Sequence, residues 1–127
     1  MRSFRDYSGD IPSGVEVVRE GVATRINFDF ALDERTIDDV VVQMLAYENV
    51  DMRCSVDYGS VVNAIVSDRY APDKVQAIMA NYQDAKDSES EITDEKRAEY
   101  LQEYSDYQEW RKKAKTVASA VVDAVNS

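Results

Sequence analysis

The last third of the chain constrains the fold most. From Asp94 to Val125 there is neither Pro nor Gly, Thr93 stands where an N-cap would, and strong helix formers fill the first half. Positions 100, 104, 107, 111, 114, 118, 121 and 125 fall at alternating steps of four and three. They hold Tyr100, Tyr104, Tyr107, Arg111, Ala114, Ala118, Val121 and Val125, a heptad stripe with one charged interruption. The spacing predicts a helix about 48 Å long at about 1.5 Å per residue. A globule of this chain length is only about 36 Å across. Apolar surface left wet forfeits roughly 25 cal/mol per Å², so the helix is expected either to break or to dry its edge on another molecule.

The rest of the chain divides into an N-terminal arm over 1–14 and an α+β core over 15–92, with the long helix over 93–127 as part of the same domain or projecting from it. In the arm, Arg2, Phe4, Arg5 and Tyr7 precede a turn-rich stretch with Gly9, Pro12 and Gly14. Val15 and Val17, then Ile26, Phe28, Phe30 and Leu32, alternate with polar residues on either side of Gly21, which predicts a hairpin. Ile37, Val40, Val41, Met44 and Leu45 have the spacing of a helical stripe, and Thr36 with Asp39 resembles a capping box. Val50, Met52, Cys54, Val56 and Tyr58 return to a period of two. A strand, a helix and a strand in that order predict a β-α-β unit with its two strands parallel. Gly59 would end the last strand and Ser60 would cap a helix with Val61, Val62, Ile65 and Val66, and Pro72 would open the next, with Val75, Ile78, Met79 and Tyr82. The acidic stretch from Asp84 to Thr93 reads as a loop. The fold class is therefore α+β: a small three-stranded mixed sheet, helices on one face and a long C-terminal helix.

Absent residue types exclude several chemistries. With no histidine and one cysteine, a Ser-His-Asp triad, a Cys-His pair, a His-metal site and an internal disulfide are impossible within one chain. The four glycines are too scattered for a phosphate-cradling loop. No run approaches a membrane span, and the opening MRSFRDYSGD has no apolar secretory core; the expected location is the cytoplasm, or a virion for a viral chain, without secretion. Asp87, Glu89 and Glu91 alternate as in a calcium loop, but Ile92 and Ala98 occupy the places that need Gly and Glu. Asp29, Asp33 and Asp57 are a candidate set for a hard cation, against the plainer reading of cross-strand partners for Arg25 and Arg53. Cys54, on the apolar side of its expected strand, reads as a small buried hydrophobe.

What remains is a non-catalytic function with no cofactor and no metal. The chain carries a formal charge of −10, which argues against direct binding of nucleic acid; a membrane partner is not expected either. The leading expectation is a small acidic assembly or adaptor protein, self- or hetero-oligomeric, that contacts partner subunits through its N-terminal arm and C-terminal helix, as an accessory component of a larger complex or viral particle. Phe4, Tyr7, Tyr100, Tyr104, Tyr107, Trp110 and Val121 would be the contact anchors, Tyr and Trp being frequent interface residues. Arg111 would set register by pairing with an acid. The alternative is an acidic inhibitor that mimics nucleic acid, resembling small anti-restriction and anti-CRISPR proteins in size and charge. Its ladder would be Glu89, Glu91, Asp94, Glu95, Glu99, Glu103 and Asp106. A third reading is a carboxylate-metal enzyme.

Overall fold

A computed structural model describes residues 1–127. The chain is α+β, with strands β1 (Arg2–Asp6), β2 (Glu16–Glu20), β3 (Ala23–Ile37) and β4 (Val40–Met52), followed by helices α1 (Tyr58–Arg69), α2 (Pro72–Lys86) and α3 (Asp94–Asn126). The sheet has four strands in the order β1-β4-β3-β2, and every pairing is antiparallel. The expected N-terminal arm contributes an edge strand. The parallel β-α-β unit does not form.

The reason lies at Asp38 and Asp39. Both have positive φ, 50° and 65°, and they make the two-residue turn that joins Ile37 to Val40, the geometry that suits the right-handed twist of paired strands. The segment expected as a helix from Thr36 to Leu45 is therefore turn and strand. Three consecutive β-branched valines, Val40, Val41 and Val42, are stiff at χ1 and pack better on a pleated surface than in a helix. β4 ends at Met52, so Cys54, expected to be buried, is exposed. Asp57 caps α1 by accepting from the Ser60 N–H at 2.9 Å, a role the sequence reading assigned to Ser60.

Paired residues share a face, so the inner face of the sheet carries Ile26 opposite Val50, Phe28 opposite Glu48 and Thr24 opposite Met52. Against it lie Val61 and Ile65 of α1 and Trp110, Ala114, Val117, Ala118 and Val121 of α3, all in one buried cluster. The Trp110 indole N–H donates to the Ile65 carbonyl at 3.1 Å, which satisfies the polar edge of a large buried ring. Arg69 stacks on the same ring at 3.4 Å and donates to the buried Glu48 at 3.2 Å.

α3 is unbroken over 33 residues, and its own chain covers the stripe. α2 packs along its first half and α1 along its middle. Tyr104 stacks on Tyr82 with centroids 3.6 Å apart, and Tyr107 meets Tyr70 edge-on at 5.1 Å. The expectation that another molecule must dry this edge is corrected: α2, α1 and the sheet of the same chain supply the surface.

Trp110 joins sheet, α1 and α3. Trp110→Ala should cost about 3–5 kcal/mol, read as a lower midpoint in urea denaturation followed by circular dichroism.

Candidate functional site

The candidate surface lies where the helices stop. The cluster packed against α1 and α3 reaches Phe28 of β3 and Val50 of β4, and beyond that point β4 is flanked by β3 and β1 alone. At Asp29 the ladder is interrupted by a bulge between Phe28 and Ala31, with Asp29 in the left-handed region at φ 56°. Lys113 of α3 donates to the Asp29 carboxylate at 2.7 Å and so ties the bulge to the helix. β2 pairs with β3 only as far as Asn27, and β1 pairs with β4 only from Glu48 to Met44. β2 therefore ends before the bulge and β1 ends past it, level with Asp33, and from Glu34 and Gln43 onward a two-stranded arm extends past both.

Every residue from Ala31 to Gln43 is exposed. In register, Asp33 lies opposite Met44, Arg35 opposite Val42 and Ile37 opposite Val40, all continuing the inner face. Leu32, Glu34 and Thr36, opposite Leu45, Gln43 and Val41, continue the outer one. Ile37 is 49% exposed, Val40 59% and Val41 62%. These are the side chains that the sequence reading assigned to a buried helical stripe; a run of β-branched residues on both sides of an Asp-Asp pair was the signal for a hairpin.

The root of the arm is braced on the outer face. Arg5 of β1 lies 5.4 Å from the centre of the Phe30 ring and 5.2 Å from that of Tyr47, and those two rings stack with centroids 5.7 Å apart. The same guanidinium reaches Glu16 on the opposite edge strand through two hydrogen bonds of 2.8 and 2.9 Å, a fork geometry that fixes orientation. Asn27 adds a third contact to Glu16 at 3.2 Å. The hydrogen bonds from Arg5 hold the Glu16 carboxyl below the usual carboxylate range, against the opposing effect of its partial burial. This strap joins the two edges of the sheet across the base of the arm.

The residues expected as partner contacts take varied places. Tyr107, Trp110 and Val121 are buried within the subunit and are corrected from surface anchors to core residues. Tyr100 and Tyr104 are half-buried. Arg111 pairs with no acid: it donates to Gln108 at 3.0 Å and lies 5.9 Å from the Tyr107 ring. Phe4 is half-buried beneath Arg35, whose guanidinium is 4.1 Å from the ring centre. The Tyr7 hydroxyl donates to the Gly9 carbonyl. Asp29, Asp33 and Asp57 do not converge, and no group of three or more Cys, Asp or Glu side chains is arranged to hold a metal ion. No helix is long and apolar enough to cross a membrane.

Comparison with protein-family models, with curated proteins and with solved structures finds no match.

The strap has a pH signature. A carboxyl whose folded-state pKa is depressed contributes stability above its ordinary pKa and loses that contribution as pH falls toward the folded value. Stability should therefore fall through the ordinary carboxylate range, near about pH 4, more steeply in the wild type than in Glu16→Gln. Urea denaturation across that range should show the two proteins separated at neutral pH and converging in acid.

Proposed function

We propose that this is a non-catalytic assembly protein whose contact element is the β3–β4 arm. The supporting observation is the run from Ala31 to Gln43, exposed at every residue and carrying Leu32, Ile37, Val40, Val41 and Val42. A hairpin that projects alone is marginal in water, because two strands cannot bury a face between them. Long exposed strand edges are also templates for pairing with another chain, which is why proteins shorten, charge or cover them. Here Val40, Val41 and Val42 occupy an edge with no Pro and no Lys. Such an element is suited to insertion against a partner subunit, in a larger complex or a viral particle. In this reading the contact role expected of the N-terminal arm and C-terminal helix passes largely to the hairpin, while β1 braces its root and α3 serves mainly as scaffold.

A second reading, the nucleic-acid mimic, draws on the acids at the far end of α3. Glu89, Glu91, Asp94, Glu95, Glu99 and Asp106 are exposed and Glu103 is half-buried; of the seven only Glu99 is ion-paired, to Lys96 at 3.2 Å. A partner held by this ladder would be released steeply by rising salt, whereas one held by the apolar arm would tolerate it.

The test of the arm is Ile37→Asp with Val40→Asp. Wild-type protein should associate in sedimentation experiments over a concentration series and persist in moderate salt. The double variant should run as a monomer with an unchanged midpoint for unfolding of the core, because both positions lie outside the buried cluster. Association that is unaltered in the variant, or a wild type with no association to lose, would overturn the reading.

A further inference from the structure

We infer that the arm's occupant is a second copy of this chain, joined by antiparallel pairing of the free β3 edges about a two-fold axis at Glu34. The inference rests on the arm being the contact element and adds the partner and the register.

Hydrogen-bond phase selects which groups are free. Asn49 of β4 donates its N–H to the Met1 carbonyl, so the odd residues of β4 direct their backbone groups toward β1 and the even ones toward β3. The even residues Val40, Val42 and Met44 lie opposite Ile37, Arg35 and Asp33. Leu32, Glu34 and Thr36 therefore turn their N–H and C=O groups away from β4. β2 would receive them, but its pairing stops at Asn27. Three donors and three acceptors stand unpaired in a row on one edge.

Side-chain chemistry selects the occupant. Asp33, Glu34 and Arg35 form no ion pair within the chain. A symmetric antiparallel partner that continues the sheet must match outer face to outer face, so its axis passes through a residue. Centring on Asp33 opposes two carboxylates, and centring on Arg35 opposes two guanidinium groups. Centring on Glu34 sets Asp33 of each copy opposite Arg35 of the other, and Leu32 opposite Thr36. The two opposite-charge pairs then fall at non-hydrogen-bonded positions, where Cα atoms approach to about 4.5 Å, while the single Glu34–Glu34 repulsion falls at a wider position of about 5.5 Å. Two close attractions outweigh one more distant repulsion. The same register brings Ile37 of the second copy opposite Ala31, beside the open cleft of about 370 Å³ at the bulge, lined in part by Phe28, Phe30, Lys113 and Val117.

Charge exchange and cross-linking test the register. Arg35→Asp should weaken the dimer about tenfold or more, and Asp33→Arg combined with Arg35→Asp should restore it. Because the double variant restores the cross-copy charges without the Arg35 contact to Phe4, recovery separates the pairing from that local contact. Glu34→Gln should tighten the dimer. In a Cys54→Ser background, Glu34→Cys should give a disulfide-linked dimer under mild oxidation, since facing Cα atoms lie within disulfide range, and Val41→Cys should not. Association that is lost in the Ile37→Asp and Val40→Asp variant but unchanged by Arg35→Asp, or that cross-links through Val41→Cys alone, would overturn this register and leave the arm as the contact element. A wild type that remains monomeric would overturn both.

Discussion

Burial of the second half of α3 against the root of the sheet is the contact on which the remainder depends. Trp110, Ala114, Val117, Ala118 and Val121 lie against Ile26, Phe28, Val50 and Met52, with Val61 and Ile65 wedged alongside. Ala114 and Ala118, both fully buried, keep this stretch of the helix narrow, and α3 packs more closely on α1 than on any strand. Removing this surface from water is the dominant favourable contribution in a chain of this size. The contact also has an end. Once α3 has passed Phe28 and the bulge at Asp29, no helix remains to cover β3 and β4, so the arm is a consequence of where the core stops.

Polar contacts then fix what the core leaves free. The Lys113–Asp29 pair orients the bulge, Arg5 and Glu16 hold the two edge strands across the outer face, and Glu48 meets Arg69 above Trp110. Each joins elements distant in sequence. Exposed ion pairs contribute little to stability on their own, but these sit on a rigid sheet beside stacked rings, so they define the angle at which the arm leaves the body. In the proposed role, such a root would hold the arm's edge in place before a partner arrives and lower the entropic cost of pairing.

The acidity of the chain fits the same picture. In the proposed dimer two copies, each of net charge −10, would repel at long range, so association would have to come from local complementarity. Val40–Gln43 carries no charge, while Asp33 and Arg35 supply opposite signs two residues apart. In the proposed dimer a reciprocal charge pair would enforce register where a uniformly apolar edge would slip.

Much of the body was legible in the sequence. The absence of Pro and Gly from Asp94 to Val125 marked a long helix, though not whether it breaks, Gly21 between two alternating runs determined the β2–β3 hairpin, and Pro72 marked the start of α2, because local steric preferences act within a few residues. The arm was not. Ile37, Val40 and Val41 satisfy helical spacing and, across an Asp-Asp turn, strand pairing as well; the choice fell to cross-strand partners such as Val42 and Arg35, whose value arises only when the chain has folded back. Nor could the heptad stripe of α3 reveal what covers it. Tyr104 and Tyr107 would suit a foreign surface equally well, and only the tertiary structure, by laying Tyr82 and Tyr70 against them, decided that they belong to the subunit's own interior.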